Sequence, residues 1–205
     1  MFALVESGSI TRYLNGNKGI TLNDLQYPRA IYTLWSEAER NAIGIYTVEI
    51  NETNKKDERW YINTDITYAF GSGKVTGSYG SATAKAHADT LYTAQNETDG
   101  LGTEGEVKVE GLKTKLIRTV KLQAAAELLK TDWYITRNAE KSTAIPSAIT
   151  THRDLVRSRQ AAMETSITNA SNTPALETLY TYVNTADEGD PEVYERPLAE
   201  IPTLD

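Results

Sequence analysis

The chain has 205 residues, 40% hydrophobic and 24% charged, which suits one large domain or two small ones and a folded rather than disordered protein. A net charge of −7 argues against broad attraction to phosphate backbones, and so against nucleic acid as a partner. With no cysteine, the chain has no disulfides, thiol nucleophiles or thiolate zinc sites.

The opening MFALVESGSITRYL is apolar only from Phe2 to Val5 and lacks a basic lead-in, which is too little for a signal peptide. No apolar run approaches the ~20 residues that span a bilayer. The expectation is a soluble protein that stays in the cell making it. FALVE and ITRYL flank Ser7-Gly8-Ser9 and predict a hairpin. Ser36-Glu37-Ala38-Glu39 matches a capping box, so a short helix is expected from Glu37 to Ala42, ended by Gly44. IGIYTVEIN, RWYIN, ITYAF and KVTGSY follow as strands rich in β-branched and aromatic residues, the last two joined by a tight turn at Gly71-Ser72-Gly73.

Residues 82–95 carry helix formers, and NETDGLGTEG (96–105) reads as a glycine-rich linker. Beyond it, Leu112, Leu116, Val120 and Ala124 recur every four residues, widened by Ile117 and Leu128, and predict a long helix. A second begins after Pro146 with the stripe Ile149, His152, Leu155, Val156, Met163, Ile167 and Ala170, broken by Arg159. Thr173-Pro174 opens a third. The tail from Asp187 holds Pro191, Pro197 and Pro202, seven acidic residues and a single Arg196, and should be extended unless a partner orders it. The expected fold is thus α+β. An antiparallel β-meander with one short helix occupies 1–81, a helix and linker 82–105, a long-helix hairpin or small bundle 106–184, and an acidic tail 185–205.

Chemical motifs are weak. His87 and His152 lie in different segments, and His152, on an apolar helix face, reads as a core-edge residue with a satisfied ring. Gly71-Ser72-Gly73-Lys74 resembles the end of a phosphate-binding loop, but Tyr68 stands where the first glycine belongs and Val75 replaces the hydroxyl. The acids around Asp187, Glu188 and Asp190 lack calcium-loop spacing. No catalytic residue, metal site or cofactor is expected. Trp60, Tyr61 and Tyr68 are the aromatics that would stack on a sugar if they were exposed.

Two segments resemble small tailed-bacteriophage tail proteins. MFALVESGSITRYL, LWSEAERNAIGIYTVEI and KVTGSY are similar to N-terminal regions of tail-fibre and tail-fibre-associated proteins, with Ala42-Ile43-Gly44-Ile45-Tyr46 as the shared element. LLKTDWYITRNAEKSTAIPSAITTHRDLVR resembles the C-terminal helical hairpin of tail assembly chaperones, fitting as Leu128, Asp132, Trp133, Pro146, His152 and Arg153. The chain lacks the tyrosine those proteins carry before Arg153. In this junction Thr131 or Asp132 would accept backbone N–H groups at a new helix start, and Trp133 would bury its ring between the long helices. The resemblance implies a non-enzymatic virion structural protein of the tail, baseplate or fibre attachment region, made in the host cytoplasm. Its partners would be other tail or fibre proteins and further copies of itself, as a trimer or hexamer, with no membrane. The tail would lie along a partner as a strap through Pro191, Tyr194, Pro197, Leu198 and Ile201. Alternatives are a fibre assembly chaperone that leaves before maturation, and a module binding host surface glycan.

Overall fold

The computed structural model describes residues 1–204 and is α+β, with a strand-rich unit Met1–Thr83 and a helix-rich unit that begins at Ala84. In the first unit, β1 (Phe2–Glu6) and β2 (Ser9–Leu14) form the expected hairpin. Its turn, Ser7 and Gly8, has φ of 50° and 79°, the left-handed pair of a type I′ connection, whose twist matches the flanking strands. A second hairpin, β3 (Ile20–Leu22) with β4 (Leu25–Tyr27), leads to a one-turn helix α1 (Ile31–Leu34). The capping box then starts α2 (Glu37–Ala42): the Glu39 amide donates to Ser36 Oγ at 3.3 Å, and the Ser36 amide donates to the Glu39 carboxylate at 2.7 Å.

Gly44, at φ 80°, turns the chain into β5 (Ile45–Asn51), and a Cβ there would lie 2.7 Å from the Val5 carbonyl. After β6 (Tyr61–Ile62) come β7 (Ile66–Gly71) and β8 (Lys74–Tyr79), joined through the left-handed pair Ser72 and Gly73. The sheet order is β2-β1-β5-β8-β7, and β5 pairs with β8 in parallel. The sheet is therefore mixed, not the antiparallel meander expected. The reason lies in residues 52–73, which carry the chain from the end of β5 around to the far edge. β7 is laid there first, and β8 returns between it and β5.

β1 is buried on both faces, which explains its unbroken apolar run. Leu4 packs with Ile20, Ile31, Tyr32 and Ile45 on one side, and Ala3 and Val5 pack with Val75 on the other. The edge strands β2 and β7 curl toward each other until the Tyr13 and Tyr68 rings lie 5.1 Å apart. Gly77 makes this curl feasible, because a Cβ there would meet Tyr68, Ile50 and Ile66 within 2.9 Å.

β9 (Thr83–Ala84) stands where the first unit gives way to the second. The helix expected over 82–95 is not formed. Residues 86–89 instead form a bent, non-helical segment against the start of α4 (Leu112–Leu129), whose first amides lack partners of their own. Leu112 and Lys113 amides donate to the Ala86 and His87 carbonyls, and the Asp89 carboxylate accepts from the Gly111 amide at 2.7 Å and from Thr114 Oγ1 at 2.8 Å. Those bonds hold the Asp89 carboxyl below its usual range. Capping a long helix outweighs the modest helix preference of a few alanines. The stretch read as a linker is likewise structured. β10 (Thr90–Leu91) pairs with β11 (Val107–Val109), and α3 (Ala94–Thr98), with its own Thr93–Asn96 capping box, lies between them.

α5 (Asp132–Lys141), α6 (Ser147–Asn169) and α7 (Thr173–Tyr180) complete the helices. Lys113, near the start of α4, donates to the Thr168 carbonyl near the end of α6, and Arg153, near the start of α6, donates to the Leu128 carbonyl at the end of α4. The two long helices are therefore antiparallel, over a core of Val120, Ala124, Ile149, Val156, Met163 and Ile167. Leu155, placed in that stripe by sequence, is 45% exposed, and Arg153 is buried in its stead. The tail is not a free strap: β13 (Tyr194–Glu195) pairs with β12 (Val183–Asn184), and the chain then runs back over the helices. Among the described residues, no helix is long and apolar enough to cross a membrane.

Candidate functional site: a helix junction and a C-terminal clasp

The polar residues buried in the described chain, Glu127, Thr131, His152, Arg153 and Thr173, all belong to the second unit. Four of them meet where α4 breaks and α5 begins. Arg153 Nη1 donates to the Leu128 carbonyl at 2.8 Å and to Thr131 Oγ1 at 2.6 Å, and lies 2.8 Å from the Asp132 carboxylate. Thr131 Oγ1 donates in turn to the Leu128 carbonyl at 3.0 Å. The last carbonyls of a helix have no partner within it, so one guanidinium satisfies the end of α4 and fixes the start of α5 together. A cation at a helix C-terminus also complements the macrodipole. Arg153 Nε has no hydrogen-bond partner, so the contact works through one end of the fork.

Several expectations for this junction change. Thr131 and Asp132 do not cap backbone amides: the side chain of Thr131, the N-cap of α5, takes no such bond, because both residues are turned toward Arg153. Trp133 is 51% exposed rather than buried between the helices. Its ring stacks on Tyr134 at 3.8 Å, with the Arg137 guanidinium 4.6 Å above it. At the start of α5 it is Arg153, not the Trp133 ring, that is buried against Leu128 and Thr131. Pro146 stands as the N-cap of α6, its carbonyl accepting from the Ile149 amide at 3.0 Å.

One turn earlier on α4, the Glu127 carboxylate gathers three groups. Lys130 Nζ lies 2.5 Å away, the Leu204 amide donates at 2.7 Å, and His152 Nε2 approaches to 3.2 Å. The His152 approach is short but misaligned, leaving Nε2 without a hydrogen bond, so its ring is buried but not satisfied. Lys130 first, then the Leu204 amide and His152, hold the Glu127 carboxyl below its usual value of 4.5 against the opposing effect of burial.

Through Leu204 the junction is tied to the tail. The Leu198 amide donates to the Leu179 carbonyl at 2.9 Å, and its side chain is 2% exposed. Arg196 reaches over the Tyr180 and Tyr182 rings at 5.4 and 5.5 Å and lies 3.4 Å from the Glu200 carboxylate. Tyr182 hydrogen-bonds the same carboxylate, and Arg159 donates to the Glu200 carbonyl at 3.2 Å. Of the residues expected to contact a partner, Leu198 is buried in its own chain and Ile201 is half-buried, while Pro191, Tyr194 and Pro197 remain exposed. The tail is docked on its own chain, with anchors on α4, α6 and α7.

Sequence reading missed Glu127, Arg159 and Arg196 as structural residues. The signal was present: Glu127 and Arg159 interrupt apolar stripes, and a charge inside a stripe needs a specific partner. In the first unit Trp60 is 3% exposed, and Tyr61 and Tyr68 are half-buried, so Trp60 offers no face to a sugar. No group of three or more metal-ligating side chains gathers among the described residues. The site's chemistry is therefore that of hydrogen-bonded architecture and an adjoining exposed aromatic surface. No family model, curated protein or solved structure matches the chain.

Proposed function

We propose that this chain is a non-enzymatic structural protein of a tailed-bacteriophage virion, acting by protein–protein assembly in the tail, baseplate or fibre attachment region. The observation that carries this reading is the exposed apolar row along α4 and the start of α5. Leu122 is 65% exposed, Leu129 69% and Trp133 51%. Leu122 and Leu129 share a helix face two turns apart, and Trp133 follows four residues on, across the break. Large apolar side chains grouped in this way mark contact surfaces, and tryptophan is a favoured interface anchor. Arg153 holds the end of α4 and the start of α5, and so presents the row rigidly. The resemblance of both halves to tail proteins supplies the setting, with further copies and neighbouring fibre proteins as partners.

The test is mass spectrometry of gradient-banded particles of a phage encoding this chain, alongside the soluble lysate of infected cells. Presence in the particle at a copy number divisible by three or six is expected. Presence in the lysate alone would turn the same surface into that of a fibre assembly chaperone, the second reading, which the likeness of 128–157 to chaperone hairpins favours.

A further inference from the structure

We propose that the C-terminal segment from Tyr194 to Leu204 is an exchangeable strap, and that the groove it fills on α4, α6 and α7 receives the same segment of a second copy of this chain. The inference stands on the second unit alone and does not depend on the phage reading.

The strap is a compact recognition element. Leu198, Ile201 and Leu204 recur every three residues with Pro197 and Pro202 among them, a period that sets side chains along one side of an extended proline-containing segment. Leu198 alone is fully buried; Ile201 is half-buried and Leu204 is 37% exposed. Much of the grip is polar. The Leu198 amide binds the Leu179 carbonyl, Arg159 binds the Glu200 carbonyl, and the Leu204 amide binds the Glu127 carboxylate. A cavity of about 350 Å³ remains between strap and α4, bordered by Ala126, Lys130 and Thr203. Water can compete for contacts of this kind, so the strap is the part of the unit most readily lifted. Each of those three anchors lies on the helical body, and a second copy offers them unchanged. Exchange therefore forfeits none of them, which is the condition for swapping an identical element between protomers.

The connection supplies the means. Residues 185–193 are exposed apart from Ala186, turn at Gly189 with φ 97°, and carry Asp187, Glu188, Asp190 and Glu192. Opened out, nine residues reach roughly 30 Å, enough to carry the strap to a neighbour. The hinge also indicates what lies beside it. Tyr182, Val183, Val193 and Tyr194 are each about half exposed, at 50, 50, 49 and 56%. In an exchanged pair two hinges run side by side, and those four side chains cover their counterparts. A short unrelated peptide seated in the groove would leave them in water.

The chain's lack of cysteine makes the test direct. Ala126→Cys and Thr203→Cys, both exposed and facing the same cavity, are prepared singly in full-length chains and together in one chain. The two single variants are mixed, unfolded in urea, refolded together at a series of protein concentrations and treated with a short bis-maleimide. Lys18→Cys, on the exposed surface of the first unit, mixed with Thr203→Cys reports random collision. Exchange predicts a covalent heterodimer of the Ala126→Cys and Thr203→Cys chains, well above the collision control and rising with concentration. The double variant then gives cross-linked dimers beside internally linked monomers. The proposal is overturned if the double variant links only within one chain while the mixed variants stay at the collision level. Absence of any link in the double variant would overturn it as well, since the strap would then not lie in the groove.

Discussion

The two units solve burial in opposite ways. The first is closed by apolar side chains, with both faces of β1 covered, and none of its described residues is a buried charge. The second also packs an apolar core, from Val120 to Leu198, but adds buried Glu127, Arg153 and His152 at the point where helices and tail converge. A sheet strand satisfies its backbone through its neighbours, so its side chains can be wholly apolar. A helix that ends in the interior leaves carbonyls without partners, and a cation brought from another helix is a compact way to supply them. The first unit should therefore fail gradually under small truncations, and the second abruptly when a single polar group is removed.

The largest expected effect tests that difference at its centre. Arg153→Ala leaves the Leu128 carbonyl and Thr131 hydroxyl buried without their donor and should destabilise the second unit by ~3–5 kcal/mol, read as a drop in its urea midpoint. Asp132→Asn should do much less, because Asp132 is half exposed and its ion pair is screened. In the first unit Ile45→Ala opens a cavity at a fully buried position and should cost ~2–5 kcal/mol, while Ile45→Val should cost only ~0.5–1.5. If Ile45→Val were as damaging as Ile45→Ala, the picture of an adaptable apolar core would fall. Ser36→Ala removes one half of the capping box and should cost about 1 kcal/mol, visible as faster amide exchange in α2.

Acid sharpens the contrast at the tail. A carboxyl held below its ordinary value stabilises the folded form above that value and withdraws its support as pH falls through the depressed one. For Glu127 the window opens near pH 4.5 and extends below it, so amide exchange at Leu204 should accelerate there before the sheet amides of β1 and β5 respond. Trp133→Ala should also have a small effect. With the ring half in water, a loss under about 1.5 kcal/mol is expected, together with a loss of partner binding if the exposed row is the assembly surface. A loss of 3–5 kcal/mol would return Trp133 to the fold.

Local signals were legible wherever a short stretch settled its own structure. The Ser36–Glu39 box, the two hairpins with left-handed turns, the α6 start after Pro146 and the Thr173-Pro174 opening all appear where pattern and propensity put them. What escaped is decided over long separations. The parallel pairing of β5 with β8 depends on a crossover, not on either strand's composition. Residues 86–89 stay out of a helix because α4, more than twenty residues away, needs acceptors. The junction pattern places the Trp133 ring between the long helices, but the residue buried at the end of α4 is Arg153, twenty positions later in the chain. The tail's docking was hidden because its partners, Glu127, Arg159 and Leu179, are scattered over three helices.

The crossover that seats β8 between β5 and β7 also sets an order of events during synthesis. β1 and β2 can pair as soon as Leu14 clears the ribosome, and β5 can join β1 some thirty residues later. β5 then waits with one edge open, its exposed amides and carbonyls available to any strand nearby, until Tyr79 emerges and β8 fills the gap. At the ordinary pace of translation, ~5–20 residues per second, that interval lasts on the order of a few seconds. During it, the nascent chain is most open to pairing with the wrong neighbour, so synonymous codons that slow the ribosome between Asn51 and Lys74 should raise the aggregated fraction without altering the finished protein.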